Sequence, residues 1–269
     1  MLGCLSRCPA AVVAVPSGLS PRLSQVRVLA PAVTADPQRA EQQPSSLAKA
    51  SVEAQLPLAA VAAALVVLPV FVQAPWVRSA PMAAALFTAV LVTAGVLLER
   101  RPERSWRELG GLLVGFSGSW LGGSLFWGWC RLHPAWHLPI EAFALPLAVA
   151  GLGGRWRLAG GFYLASLLGT AATDAAMLCG GLMDLWPQVL NGPLTEAPAL
   201  LQTAALSVLQ PLPLLVVAAS AALLLALASW LNGRGQTGRI AAVTVATTLA
   251  VDGLFLAASL VAPQLSGLI

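Results

Sequence analysis

The sequence predicts an all-α fold, a polytopic membrane bundle of about seven transmembrane helices, and three observations lead to that prediction. Of the 269 residues, 58% are hydrophobic and only 10% are charged, whereas soluble domains carry about 25% charged residues. The mean hydropathy is +0.79, so the lipid bilayer is the solvent that suits most of the chain. Apolar stretches of about 17–25 residues, the length of a membrane-crossing helix, recur along the chain. We therefore expect residues 51–269 to form one transmembrane helical domain.

Seven spans are predicted where mostly apolar residues run without a basic residue. They cover about Leu56–Ala74, Met82–Leu98, Leu109–Trp129, Leu138–Gly153, Leu158–Leu182, Pro211–Leu231 and Ile240–Val261. Pro211 is typical of a helix start, and the pair Asn232-Gly233 is typical of a helix end. The fourth span is short and contains two prolines and an acid, so a re-entrant segment is the alternative there. After the fifth span, Ala199–Gln210 is predicted to form a short helix in the membrane interface.

Residues 1–50 differ in composition from the rest of the chain. They are rich in Pro, Ser and Gln, hold five of the fifteen basic residues and contain no apolar stretch long enough to cross a membrane. This composition is typical of a disordered cytoplasmic tail, or of a start assigned too far upstream. Because acids are scarce and Arg and Ser recur, a plastid-type transit peptide is an alternative. The segment is not expected to contribute to the fold.

Charges in the connecting loops predict the orientation of the bundle. Basic residues concentrate in the cytoplasmic loops of membrane proteins, which places the N-terminus in the cytoplasm and the C-terminus outside. The inner loops then hold Arg100, Arg101, Arg104, Arg107, Arg155, Arg157, Arg234 and Arg239, and the outer loops hold Arg78 and Arg131. The net charge of +4 is small and spread over these loops, so the expected partner is the bilayer and not nucleic acid.

Three acids are predicted to lie inside the membrane, in its outer half. Two spans carry hydroxyl residues and an aspartate at intervals of four, which places each trio on one helix face; they are Ser166, Thr170 and Asp174, and Thr244, Thr248 and Asp252. A carboxylate at membrane depth costs several kcal/mol unless it is paired, hydrated or protonated. Glu141, Asp174 and Asp252 therefore predict a polar cavity that opens outward and holds a proton or cation. The structural alternative is that these acids cap helices, pair with Arg131 or stay neutral, and we favour it for Asp252.

Both histidines of the chain precede Glu141 at intervals of four residues. On a continuous helix, His133, His137 and Glu141 would form a ladder of metal ligands, although the intervening prolines argue against such a helix. An ordered outer loop at the headgroup level is the ordinary interpretation, and an axial histidine ligand to chlorophyll or haem is another. Nearby tryptophans are expected to form an interfacial aromatic belt, with a pigment-stacking surface as the alternative; they are Trp120, Trp127, Trp129 and Trp136.

Two stretches of this region resemble a known family. The first is Gly118–Leu147, which includes Ser119-Trp120-Leu-Gly-Gly-Ser-Leu-Phe-Trp127-Gly-Trp129 and His137-Leu-Pro-Ile-Glu141-Ala, and the second is Phe162–Asp174. They resemble an uncharacterised family of multi-pass integral membrane proteins found in cyanobacteria, over about residues 55–265. The resemblance implies a photosynthetic host and a thylakoid or plasma membrane. The family carries no assigned activity, so no catalytic residue follows from the resemblance.

Three functional classes are compatible with these observations. The resemblance favours an accessory or assembly protein of a photosynthetic membrane complex, with other membrane subunits as partners. The intramembrane acids favour a small proton- or cation-coupled transporter. A membrane enzyme that uses His133, His137 and Glu141 ranks last, because the chain has no P-loop, GxSxG, HExxH or Rossmann motif. The sequence identifies no cofactor.

Overall fold

The computed structural model describes residues 58–193 and 195–266, and every regular element in these residues is helical. The elements are α1 Leu58–Ser79, α2 Pro81–Glu99, α3 Arg104–Cys130, α4 His137–Glu141, α5 Leu145–Gly151, α6 Arg157–Cys179, α7 Trp186–Asn191, α8 Ala197–Val208, α9 Pro211–Asn232, α10 Gly235–Val261 and α11 Pro263–Ser266. Six of them are long and apolar enough to cross a membrane: α1, α2, α3, α6, α9 and α10. The chain is therefore a multi-pass membrane protein. The predicted tail, residues 1–50, lies outside the described residues.

Six of the seven predicted spans correspond to these six helices. The start of α9 at Pro211 and its end at Asn232 confirm the predicted signals. The helices α3 and α10 begin about one turn before the predicted spans, at Arg104 and Gly235. Their first turns are polar, and hydropathy marks only the apolar part of a helix that continues into water. The short helix predicted at Ala199–Gln210 is also present, as α8.

The fourth predicted span is not a single helix. It is divided into α4, a 3₁₀ turn at Ala142–Ala144, and α5. Pro146 lacks a backbone N–H, and its ring clashes with the carbonyl of residue 142 in a continuous α-helix. The break therefore falls where the proline requires it. We refer to residues 137–151 as the broken segment.

The broken segment lies between two helices that run in the same direction. Along α3, Gly111 faces Leu158, Gly115 faces Ala159 and Gly118 faces Tyr163, so α3 and α6 begin at the same end of the bundle. The chain must therefore return from the end of α3 to the start of α6, and the broken segment makes this return. Its Glu141 packs near the end of α3, at Gly122, and its Ala148 packs near the start of α6, at Gly160.

The helices α1 and α10 run in the same direction as α3 and α6. Leu58 of α1 shares an apolar cluster with Leu112 near the start of α3, while Gln73 contacts Ser124 near its end. Thr237 and Thr248 of α10 face successive glycines of α6. The helices α2 and α9 are joined to their neighbours by short connections and run in the opposite direction. The starts of α3, α6 and α10 and the loops before them carry the eight arginines predicted to be cytoplasmic, and we call this end of the bundle the basic end.

The half of the bundle nearest the basic end is tightly packed. We call this half the packed half. Its buried apolar cluster comprises Leu58, Ala62, Leu65, Leu112, Phe116, Trp120, Leu158, Phe162 and Ile240. Gly115 is required there because a Cβ atom would overlap the backbone of Ala159 in α6. Small residues recur at intervals of four along α3, a spacing that favours such close helix packing; they are Gly111, Gly115, Ser119 and Gly123.

Trp120 belongs to this packed half and not to an aromatic belt. Its side chain is 1% exposed, and its indole N–H donates a hydrogen bond of 2.8 Å to the carbonyl of Ala84. Phe116 lies one turn earlier on the same face of α3 and contacts the indole ring edge-on. The belt prediction was therefore wrong for Trp120. Trp129 and Trp136, by contrast, are 51% and 59% exposed.

Candidate functional site

A cavity of about 710 Å³ opens between the helices in the half of the bundle opposite the basic end. Its walls come from the later parts of α1, α3, α6 and α10, from α4, and from α7 and α8. Apolar side chains such as Val70, Phe126 and Phe255 form much of its surface. All three acids predicted to lie inside the membrane line it: Glu141, Asp174 and Asp252. We call this half of the molecule the cavity half.

His137 lies between two of these acids. Its Nδ1 atom is 2.9 Å from Oδ1 of Asp174 on α6, and its Nε2 atom is 3.3 Å from Oε1 of Glu141 on the same short helix. An ionised carboxylate only accepts hydrogen bonds, so both ring nitrogens donate at once only when the imidazole is protonated. The ring of Phe126 covers the imidazole at a centroid distance of 4.3 Å. The three groups therefore form one hydrogen-bonded unit that can hold or release a proton.

Two residues of α6 form hydrogen bonds with Glu141, one with its side chain and one with its backbone. Its Oε2 atom accepts a hydrogen bond of 2.8 Å from the hydroxyl of Thr170. Its backbone carbonyl accepts a hydrogen bond from the buried hydroxyl of Tyr163, which in turn accepts one of 3.2 Å from the N–H of Ala144. The break after α4 leaves these backbone groups without partners in a regular helix, and Tyr163 satisfies them. Tyr163 thus fixes the break and the carboxylate beside it.

Asp252 enters the same cavity from α10. Its Oδ2 atom accepts a hydrogen bond of 2.7 Å from the hydroxyl of Thr173 on α6. Thr173 directly precedes Asp174, so the Asp252 contact and the histidine unit occupy neighbouring positions on one helix. We call His137, Glu141, Thr170, Thr173, Asp174 and Asp252 the polar network.

Gln73 supports the cavity wall from α1. It lies in a π-helical turn, Pro69–Gln73, between Pro69 and Pro75. Its side chain is 2% exposed, and its Nε2 atom donates hydrogen bonds to the carbonyl of Trp120 and to the hydroxyl of Ser124. π-Helical turns occur frequently at functional sites in α-helices.

The second predicted cluster does not assemble. His133 is exposed in the loop before α4, while His137 and Glu141 line the cavity. Within the described part of the chain, no group of three His, Cys, Asp or Glu side chains is arranged to hold a metal ion. Pro134 starts a 3₁₀ turn that separates the two histidines, so they are not on one helix face. Arg131 forms no ion pair with an acid among these residues, although it also lines the cavity.

Sequence reasoning missed three residues of the site. Thr173 lies outside the four-residue spacing of α6, and it reaches Asp252 only because α10 packs on its side of the helix. Tyr163 is the only tyrosine of the chain, but its partners at the break become visible only in the folded structure. The sequence did contain a signal for Gln73, because this residue is a single amide in an apolar span and lies between two prolines.

Comparison of the chain with known proteins identifies a family without an assigned activity. None of the curated proteins and none of the solved structures compared with the chain matches it. A family model described as "Protein of unknown function (DUF3120)" matches residues 62–260, which include all six candidate spans except the first turn of α1 and the last residue of α10, and the entire polar network. The chain therefore belongs to the DUF3120 family of proteins of unknown function.

Proposed function

We propose that this protein is a small proton-coupled transporter whose solute enters the cavity from the outer side of the membrane. The observation that carries the proposal is the histidine between two carboxylates, on the wall of a cavity among membrane-crossing helices. Ionisable groups at such depth are rare, and they mark ion or substrate pathways in many membrane proteins. A solely structural role for His137 would not require a cavity of about 710 Å³ beside it.

The broken segment supports this proposal. Many transporters build their sites from discontinuous helices near the middle of the membrane, where loosened backbone and polar side chains meet. Here the break is at Ala142–Ala144, directly after Glu141. Because His137 and Glu141 lie on one short helix and Asp174 lies on α6, a movement of that helix changes the distance within the hydrogen-bonded unit. A movement of this helix would therefore release the proton from the hydrogen-bonded unit and change access to the cavity at the same time.

Solute-driven proton movement tests the proposal. The purified protein is reconstituted into liposomes that contain a pH-sensitive dye, and inward gradients of amino acids, organic acids, sugars and inorganic ions are imposed in turn. At least one class of solute should change the internal pH faster than in protein-free liposomes. Asp174→Asn and Glu141→Gln should each reduce that rate at least tenfold, because each removes one carboxylate of the hydrogen-bonded unit.

Glu103→Gln is the matched control, because Glu103 is exposed at the basic end, far along α3 from the cavity. Its rate should equal that of the wild-type protein. Solute-driven proton movement that survives Asp174→Asn and Glu141→Gln would refute the proposed role of the network. The absence of any such movement across the panel would refute proton-coupled transport.

We also propose seven crossings, with the N-terminus in the cytoplasm and the cavity half toward the outside. The return of the broken segment between two parallel helices supports the count, and the eight arginines at the basic end support the orientation.

Cysteine labelling tests both the number of crossings and the orientation. In a background without Cys4, Cys8 and Cys130, an impermeant maleimide should label the exposed thiol of Cys179 in intact cells. A cysteine introduced by Arg101→Cys, with Cys179 replaced, should react only after lysis, and the reverse pattern would contradict the orientation.

An accessory role in a photosynthetic complex stays a second proposal, and it comes from the family resemblance. The exposed rings of Trp129 and Trp136 are the surface that such a role would use. Membrane fractionation of a cyanobacterial host should then find the protein in thylakoid or plasma membrane, together with photosynthetic subunits after mild solubilisation. Trp129→Ala with Trp136→Ala should abolish that co-purification. If the wild-type protein is purified from native membranes without photosynthetic subunits, that result would contradict the accessory role.

A further inference from the structure

The short helix α7 forms the part of the cavity wall that lies farthest from the basic end. Its residues Trp186, Val189 and Leu190 line the cavity, and their spacing of three and four places them on one face of the helix. Gln188 and Asn191, on the opposite face, are exposed. Because α7 follows the end of α6 after a short turn, it lies at the open end of the cavity half, which we call the mouth. The helix therefore separates the cavity from water at the mouth.

This part of the wall is less tightly packed than the wall that α3 provides. No residue from 181 to 193 is buried, whereas Ser124 and Phe126 of α3 are buried in the same half of the molecule. Segments with few buried contacts open locally at a lower free energy than the whole fold requires. The helix α7 can therefore move while the bundle stays folded.

Glycines at both ends of α7 allow such a movement. Gly181, in the turn before the helix, has a φ of +67°, a left-handed conformation that residues with a side chain rarely adopt. Gly192 ends the helix in an extended conformation and is followed by Pro193. Hinges are commonly a few residues at the ends of an element that absorb changes in φ and ψ. The two glycines have the positions that hinges of α7 would need.

One side chain attaches α7 to the rest of the bundle. The indole N–H of Trp186 donates a hydrogen bond of 2.8 Å to the backbone carbonyl of Arg131, directly after the end of α3. The ring of Trp186 contacts that of Trp127 at a centroid distance of 5.6 Å. Within the described part of the chain, the other hydrogen bonds of residues 182–193 join neighbours in sequence. Water can replace Trp186 as the partner of the carbonyl, so this attachment can be broken at small cost.

We propose that α7 is a lid over the cavity and that Trp186 keeps the lid closed. This inference rests on the proposed transport function, in which a solute passes the mouth to reach the polar network. The opposite end of the cavity is closed by the apolar cluster of the packed half, so the mouth is the route from water. When the contacts of Trp186 break, α7 turns about its glycines and opens that route.

Chemical modification of a cysteine inside the cavity tests the lid. In a chain whose four cysteines are replaced by alanine, Ser259→Cys places a thiol on the cavity wall at a position that is 9% exposed. A permanently charged methanethiosulfonate reagent is added to open membrane fragments, and the rate of modification is measured. Trp186→Phe removes the N–H but keeps a ring, and it should raise the rate about two- to tenfold, the change in an opening equilibrium that loss of one hydrogen bond produces. Trp186→Ala also removes the ring contact with Trp127 and should raise the rate further.

Trp106→Phe is the matched control, because it makes the same change at an exposed tryptophan of the basic end and should leave the rate unchanged. Equal rates with and without the changes at Trp186 would overturn the lid. If the Trp186 variants do not fold, hydrogen exchange of the wild-type chain provides the test. The amide hydrogens of α7 should exchange faster than those of α6, and equal protection of the two helices would show that α7 opens only when the bundle unfolds, which would also overturn the lid.

The two proposals fail separately, because the modification of a cysteine needs no transport. A modification rate that depends on Trp186, without proton movement for any solute, would leave the lid and remove the transporter. Proton movement that depends on Asp174, together with a modification rate that does not change with Trp186, would leave the transporter and remove the lid.

Discussion

The packed half and the cavity half are built from the same four parallel helices, but different interactions hold them together. Near the basic end, glycines bring α3 within backbone contact of α2 and α6, and large apolar side chains fill the remaining space. In the cavity half, the same helices are joined by side-chain hydrogen bonds around an open volume. One half therefore has almost no freedom to rearrange, while the other half can change by exchanging hydrogen bonds.

This difference indicates which part of the protein serves as a frame. Close packing transmits strain and tolerates little change in volume. A polar network that faces a cavity can exchange a partner for water or solute, because a hydrogen bond to ordered water is enthalpically nearly as good as a direct one. We expect substitutions in the packed half to act on folding. Substitutions in the cavity half should act on proton movement first and on stability second.

The largest effect is expected for Gly115→Ala in the packed half. The added Cβ would overlap the carbonyl and Cα of Ala159, and backbone atoms have little freedom to withdraw. We expect a loss of about 3 kcal/mol or more in the free energy of unfolding, at the upper end of the range for overpacked cores. The measurement is the unfolding midpoint of the detergent-solubilised protein.

Gly253→Ala is its control, because a Cβ at Gly253 on α10 meets no atom within 4 Å. It should leave the midpoint unchanged or raise it, since alanine favours a helix by about 1 kcal/mol over glycine. Equal midpoints for the two variants would show that close approach of α3 and α6 is not what stabilises the packed half.

A smaller loss of stability is expected for His137→Gln. This change leaves the carboxylates of Glu141 and Asp174 facing one cavity without the cation between them. Because these groups are partly exposed, we expect a loss of about 1–3 kcal/mol, less than for a fully buried pair. Adding Asp174→Asn should recover stability but not proton movement. If the double variant is less stable than His137→Gln alone, the two carboxylates do not repel each other across the glutamine.

The sequence predicted the frame better than the site, for a physical reason. Apolar length and the glycine spacing of α3 are local properties, so six spans and their close packing could be predicted from the chain alone. The polar network depends on which helix faces approach one another. His137 was therefore grouped by spacing with His133 and Glu141, whereas its partners in the structure are Glu141 and Asp174, the latter 37 positions away. The two prolines within the broken segment predicted an irregular helix there, but not the hydrogen bonds of Tyr163 that stabilise the break.

Gln73→Met tests the boundary between the two halves. The change keeps the length of the side chain, but it removes the donor to the carbonyl of Trp120 and to the hydroxyl of Ser124. Loss of partners for buried polar groups costs about 1–3 kcal/mol, and we expect the lower part of that range because the carbonyl keeps its helical hydrogen bond. Gln188→Met, at an exposed position, is the control and should have no effect on the unfolding midpoint. Equal midpoints would mean that the π-helical turn is stable without Gln73.

The smallest change in stability, and the sharpest test of the comparison, is expected for Thr173→Val. Valine keeps the shape of threonine but removes the hydroxyl that donates to Asp252. A net contribution of about 1 kcal/mol is usual for one such hydrogen bond, so the unfolding midpoint should fall only slightly. Proton movement should nevertheless fall several-fold, because Asp252 is then no longer tied to the helix that carries Asp174. Thr203→Val on α8 removes a hydroxyl that bonds only within its own helix, and it should alter neither quantity. If Thr173→Val lowered stability and left proton movement intact, the link between α6 and α10 would belong to the frame, and the division between the halves would lie closer to the mouth of the cavity.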